Sequence, residues 1–180
     1  KNWNGLPDPA EAAPAVIKRY LSAYGPATPE TFDAWLSRNS NKKSTLRSWF
    51  ASLGEQIVEV RVEGETRYLL AKHEDELAAT RPSRATHLLG AFDQFVLGPG
   101  TKDTHMLAHE HRPLVSKAAG WIAPVLTQGG RITGVWEMDD GNLVVTPFPG
   151  EQAPPSQVLE DAAARLTAVH GSVKVTPRVD

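Results

Sequence analysis

The sequence contains no cysteine. That absence excludes disulfide scaffolds, thiolate metal sites and cysteine nucleophiles, and it fits a reducing compartment. Its apolar runs fall far short of the ~20 residues a membrane-spanning helix needs, so no membrane partner is expected. The amino end, Lys1-Asn2-Trp3-Asn4-Gly5-Leu6-Pro7, lacks the apolar stretch of a signal peptide. It also lacks an initiator methionine, which leads us to expect processing or a piece of something longer. The expected location is the cytoplasm, with nucleoid association if DNA is bound. The chain also lacks an excess of either charge. With 19 Lys+Arg against 21 Asp+Glu its formal charge is −2, which argues against a nucleic-acid binder, since such domains are usually basic.

At 180 residues the chain suits two small domains. The neutral total also hides a local cluster. Between Ala34 and Gly54 the sequence holds Arg38, Lys42, Lys43 and Arg47 and no acidic residue, a local charge of +4.

Hydrophobic periodicity predicts three helices and a hairpin in the first half. Val16, Ile17, Tyr20, Leu21 and Tyr24 share one helical face. Pro14 is placed in the first turn of that helix, and Gly25-Pro26 stops it. Thr28-Pro29-Glu30 begins a second helix with a hydroxyl cap, proline at N1 and a carboxylate near the positive end of the dipole. Phe32, Trp35 and Leu36 form its apolar stripe. A third helix carries Leu46, Trp49, Phe50 and Leu53. After Gly54 the period changes to two: Val58, Val60 and Val62 alternate with charged residues, Glu63-Gly64 turns, and Thr66–Leu70 returns. This order is the winged-helix plan, expected over residues 8–80.

Residues 81–180 read as a β-rich domain. Candidate strands are Thr86–Leu97, Thr104–Leu114, Trp121–Leu126, Arg131–Met138 and Leu143–Phe148, with Gly129-Gly130 and Asp140-Gly141 as turns. Pro154-Pro155-Ser156 opens a helix with Leu159, Ala162, Leu166 and Val169 inward, ended by Gly171. A short strand, Val173–Thr176, follows. The expected fold class is therefore α+β: a winged helix, then a small β-barrel-like or curled antiparallel sheet with a C-terminal helix.

The third helix carries the clearest chemistry. Its apolar side is set by Leu46, Trp49, Phe50 and Leu53, so Lys42, Lys43, Ser44 and Arg47 project elsewhere, and Lys43 and Arg47 share a face. In a helix-turn-helix the second paired helix enters the major groove, with its N-terminal residues nearest the bases. Lysines there suit phosphates, while Arg47 and Asn41 have the forks for bidentate base contacts. Arg38 belongs to the same cluster, and Arg61 and Arg67 flank the hairpin turn. The alternative is a solvated helix face in a module used only for packing, and Glu63 and Glu65 at the turn would repel phosphate.

His105, His109 and His111 lie close together with Glu110. They pair at helical or strand spacing as metal ligands would, but position implies no further ligand, so no metal site and no cofactor is expected. With Arg112 and Lys117 nearby, the segment also reads as a basic hairpin that meets nucleic acid. Asp93, among Phe92 and Phe95, is an isolated carboxylate in an apolar run, paired structurally or functional. Walker-type loops, nucleophile elbows and HExxH are absent.

Three strings resemble one family. They are Arg19-Tyr20-Leu21-Ser22-Ala23-Tyr24-Gly25-Pro26-Ala27-Thr28 with Trp35, then Leu88–Gly98, then Pro124-Val125-Leu126 through Gly130-Arg131-Ile132-Thr133-Gly134-Val135-Trp136. They occur in the order seen in the winged-helix DNA-binding family that includes the AlkZ/YcaQ-like glycosylases. The resemblance spans roughly residues 10–170. It implies tandem winged helices followed by a β-barrel-like domain, with excision of alkylated bases by the characterised branch. It also implies a catalytic Gln-x-Gln or Gln-x-Asp signature in an N-terminal half. Gln56, Gln94, Gln128, Gln152 and Gln157 are followed two positions later by Val, Val, Gly, Pro and Leu, so none fits. Gly90 replaces the family's proline, and Gly98-Pro99-Gly100-Thr101-Lys102 departs from its pattern.

The expectation from sequence is thus the C-terminal half of such a protein. It would bind double-stranded DNA, with no catalytic residue of its own, while a missing N-terminal half does any chemistry and is its partner. The alternative is a packing or dimerisation module in a non-catalytic regulator.

Overall fold

The computed structural model describes residues 5–139, 142–170 and 174–177, with side chains as far as Leu166. By its internal contacts the chain divides into two compact units. The first takes in the described residues to Thr80 plus Gly98–Gly100, and the second the rest.

In the first unit α1 spans Pro9–Tyr24 and starts earlier than the sequence suggests. Asp8 is its N-cap, accepting from the Ala10 amide at 2.8 Å, and Pro9 takes N1. Pro14 therefore lies inside the helix rather than in its first turn. Two prolines competed for the same signal, and the one preceded by a capping carboxyl won. Helix α2 (Pro29–Ser37) is closed by a box in which Thr28 and Thr31 exchange hydrogen bonds. Helix α3 spans Lys43–Ala51. Strands β1 (Ile57–Val62) and β2 (Glu65–Leu70) pair in register, Val62 opposite Glu65. Their turn is Glu63-Gly64 with both φ positive, the geometry a two-residue hairpin needs. A short α4 (Glu74–Ala79), not anticipated from sequence, follows.

The first core joins these elements through Ile17, Tyr20, Leu21, Phe32, Leu46, Phe50, Leu53 and Leu70. Tyr20, Phe32, Phe50 and Tyr68 form a chain of tilted and edge contacts at 5.3, 5.8 and 5.3 Å between successive ring centroids. Each fully buried side chain here contributes about 1.5–3 kcal/mol. Only Phe32 of the expected α2 stripe is fully inside; Trp35 and Leu36 are partly exposed.

The second unit holds a five-stranded sheet in the order β3 (Thr86–Leu89), β4 (Val125–Gln128), β5 (Arg131–Asp139), β6 (Asn142–Pro147), β7 (Lys174–Pro177). The first three pairings are antiparallel and β6–β7 is parallel. A parallel neighbour requires a crossover, which α7 (Ser156–His170) supplies. One face of the sheet meets α7 through Leu88, Leu126, Trp136, Leu143, Leu159, Ala162 and Ala163. A further core gathers Val96, Met106, Leu107, Val115, Ile122, Val125, Ile132 and Phe148.

The α+β class holds, but the sheet is not a closed barrel: β3 and β7 are edges. The expected strands at 86–97, 104–114 and 121–126 largely dissolve. Residue 89 ends β3, and the segment to Pro124 carries only two four-residue helices, α5 (Gln94–Leu97) and α6 (Arg112–Val115), with 3₁₀ turns. The Asp140-Gly141 turn, the stop at Gly171 and the inward Val169 side chain fall outside the described residues.

Candidate functional site

The expected DNA-binding residues start in the α2–α3 turn. Arg38 and Asn39 both adopt left-handed backbone, φ 57° and 64°. Buried Asp33 holds this tight connection: its carboxyl accepts from the Ser37 hydroxyl, from Asn41 Nδ2 at 2.6 Å and from the Asn41 amide at 3.3 Å. Asn41 also donates to Ser37 Oγ at 3.0 Å. Its amide nitrogen is thus engaged within the turn rather than presented outward.

Beyond the turn Lys42, Lys43, Ser44 and Arg47 are exposed at the start and along one side of α3, and Arg38 is exposed beside them. No side-chain hydrogen bond or ion pair to a described residue occupies Lys42, Lys43, Arg47 or Arg38. Arg47 also lines a pocket of about 340 Å³ with Phe50, Ile57, Glu59 and Tyr68. There the Tyr68 hydroxyl donates to Glu59 Oε1 at 3.2 Å. Burial, then the hydrogen bond and negative charge of Glu59, hold the Tyr68 phenol above its ordinary pKa.

The hairpin arginines behave differently from each other. Arg61 is exposed and donates to the Gly64 carbonyl at 3.1 Å and to Thr66 Oγ1 at 2.9 Å, bracing the turn. Arg67 is buried, pairs with Glu65 at 3.1 Å and reaches the Pro26 carbonyl. The expectation that Arg67 flanks the turn toward a neighbouring groove is corrected: its strand position points into the unit, and Glu65 neutralises it.

The histidine segment is no hairpin. His109–His111 form a 3₁₀ turn leading into α6, because Pro113 pre-sets helical φ at its second residue. The His111 ring lies on Phe148, centroids 4.6 Å apart. Among the described residues no three His, Asp or Glu side chains converge as metal ligands. Arg112 donates to Thr101 Oγ1 at 3.3 Å and, with Lys102 and His109, lines a pocket of about 210 Å³. Asp93 accepts from the Phe95 amide at 2.8 Å, the start of α5. Lys117 is exposed in the loop after α6.

Two groupings were invisible to spacing arguments. In the first unit Lys18, Arg19 and Lys72 line a concavity of about 630 Å³ with no acidic lining residue, and Lys18 donates to Gln56 at 3.0 Å. In the second, Phe92 and Trp121 stand edge to face at 5.0 Å. Both sets come from positions far apart in sequence, so only folding brings them together.

These features define an α+β protein of two units whose first unit presents a cationic helix face left unpaired among the described residues. The chain belongs to the AlkZ-like DNA glycosylase family: residues 1–169 match the family described as "DNA glycosylase AlkZ-like". It is 52% identical over 178 residues to a Streptomyces sahachiroi protein named "Interstrand DNA cross-link repair glycosylase", covering 99% of this chain and 48% of that protein. The solved Streptomyces sahachiroi DNA glycosylase AlkZ superposes with a TM-score of 0.94 at 52% identity, over the same shares of each chain. The chain thus spans about half the length of the relative it matches.

These findings correct two expectations. The reading of the chain as a non-enzymatic DNA-binding portion with its chemistry in a missing N-terminal half is contradicted by the family match over residues 1–169 and by the alignment of 99% of this chain with 48% of a protein named as a glycosylase. An N-terminal half as partner gains no support, and the non-catalytic regulator is not favoured.

Proposed function

We propose that this protein is a DNA repair glycosylase that acts on duplex DNA, and that α3 is the element that grips the duplex. The reaction class is hydrolysis of the bond between a base and its sugar, leaving a free base and an abasic site. The observation that carries this reading is the 52% identity across 99% of the chain to a protein named as an interstrand cross-link repair glycosylase.

In this reading α1, α2, α3 and the β1–β2 hairpin are a winged helix, with residues 8–80 and 81–180 as two domains. Lys42, Lys43, Ser44 and Arg47 meet DNA from α3, Arg38 approaches from the preceding turn and Arg61 from the wing. What supports this is their exposure and the lack of any partner for the α3 cations among the described residues. Phosphate contacts of this kind supply most of a duplex binder's affinity and set its orientation. A DNA-bound protein would be nucleoid-associated in the cytoplasm. Incubating the protein with duplex DNA that carries alkylated or cross-linked bases tests the reading: release of free base, or unhooking of the cross-link, is expected. Intact bases together with no mobility shift at low salt would overturn it.

A further inference from the structure

In the second unit several large apolar side chains are left in solvent close to one another. Trp121 is 51% exposed and Phe92 42%, and their rings meet nearly perpendicular, at 85°. Beside them lies a pocket of about 480 Å³, lined by Leu114, Trp121, Trp136 and Met138 with Lys117 and Glu137. This falls in the size range of small-molecule sites. The apolar floor offers a planar group contact area, while the two charged side chains supply one donor and one acceptor.

The backbone around the ring pair is strained on both sides. Phe92 itself is left-handed at φ 58°, and Ala119 and Gly120, two residues before Trp121, have φ 54° and 77°. Bulky and β-carbon-bearing residues avoid this region unless surroundings enforce it. Here they do. Asp93 donates its amide to the Gly90 carbonyl at 3.3 Å and caps α5, closing the turn that points Phe92 outward. The Lys117 amide donates to the Trp121 carbonyl at 2.8 Å, the Ala123 amide to the Val115 carbonyl at 2.9 Å, and Ser116 bridges Ile122. This closed loop carries Lys117 and Trp121 at its two sides. Folding thus holds two exposed aromatic rings against each other, with a cation lining the pocket beside Trp121.

We propose that Phe92, Trp121 and Lys117 form a stacking site for an unpaired nucleobase, with Lys117 on its neighbouring phosphate and Glu137 accepting from base amino groups. The inference rests on the proposed action on DNA and adds a surface within the second unit. Every base has a π-face, so such a platform tolerates any sequence, while the ammonium favours an anionic strand over an apolar peptide. An enzyme that works on a base must take it out of the stack, and a surface that holds unpaired bases favours the opened state.

The test compares binding of a fully paired duplex with the same duplex carrying one bulged nucleotide, for wild type, Trp121→Ala and Trp121→Phe. Wild type is expected to prefer the bulged duplex. Trp121→Ala should weaken that complex about five- to a hundredfold, leave the paired duplex unchanged, and Trp121→Phe should restore most of the preference. Paired-duplex binding without a preference for the bulge, or a preference that survives Trp121→Ala, overturns the stacking site and leaves the DNA reading intact. Absence of any DNA binding by wild type overturns both. Self-association in sedimentation that Trp121→Ala abolishes would assign the patch to a second copy of the chain and overturn the proposal.

Discussion

Asp33 shows how one side chain sets the geometry of a surface it does not reach. It is 2% exposed, and its two carboxyl oxygens collect the Ser37 hydroxyl and both donors of Asn41. Asp33→Ala would strand these donors beside two left-handed residues, Arg38 and Asn39. A loss of about 1–3 kcal/mol is expected from half-buried donors left without their acceptor, read as a lower urea midpoint at an unchanged slope. Asp33→Asn, which keeps one acceptor, should lose less.

Tyr68 gives a pH-dependent counterpart. Its phenol is held above the usual value of 10 by burial first and by Glu59 second. A raised pKa in the folded state means that the unfolded chain gives up the proton first as pH rises. The stability this provides is complete below the unfolded value, about 10, and is lost as pH climbs through the folded value. Tyr68→Phe should therefore flatten the alkaline limb of a stability–pH curve above about pH 10. At neutral pH it should cost under about 1 kcal/mol, since the bond lies partly in solvent.

At the scale of elements, β5 shows how little tolerance a central strand has. Gly134 lies opposite Pro147 on β6, next to a register shift between Leu126 and Thr127 of β4. A β-carbon there would sit 2.6 Å from the Thr146 carbonyl oxygen and 3.0 Å from Pro147 Cα, both backbone atoms that cannot rotate away. Gly134→Ala is expected to cost about 1–3 kcal/mol by overpacking, measured as a lower melting temperature. A substitution at Gly130, where a β-carbon meets nothing but φ is 82°, should act only through turn strain.

The elements also mark where sequence was informative. Helices α1 to α3 and the β1–β2 hairpin were legible because each buries one face, so their apolar residues repeat at 3.6 or 2. Strands β5 and β6, whose buried positions run consecutively, were legible instead from the Gly129-Gly130 and Asp140-Gly141 turn signals that bound them in the sequence. The stretch from Gly90 to Pro124 was not, because its core residues, Val96, Met106, Leu107, Val115 and Ile122, come from turns and four-residue helices. A single helical turn is too short to show a period, and an apolar run such as Phe95-Val96-Leu97 fits a strand equally well. The same limit governs the candidate site. The cations of α3 were legible because a helix fixes their spacing. The burial of Arg67, the engagement of Asn41 and the meeting of Phe92 with Trp121 depend on tertiary contacts that spacing does not encode.

At the scale of the whole molecule, net charge and local charge make opposing predictions about DNA. A total of −2 predicts weak long-range repulsion. The α3 face predicts short-range phosphate contacts, because Lys42, Lys43 and Arg47 are exposed and meet no carboxylate among the described residues. Salt separates the two. Counterion release depends on the number of phosphates contacted and not on total charge, with log K falling against log salt by about 0.9 per contact. Replacing Lys42, Lys43 and Arg47 together by alanine changes the net charge from −2 to −5, which alone would shift affinity by a similar factor for any three exposed cations. Three cations outside the cluster, Arg81, Arg84 and Arg131, are all exposed and serve as the control. If α3 touches DNA, the first triple variant should lose about 2–3 in salt slope, along with most of the affinity, and the control should keep its slope while binding slightly less. Equal slopes for the two variants, measured by fluorescence anisotropy from low to moderate salt, would show that charge matters here only in aggregate.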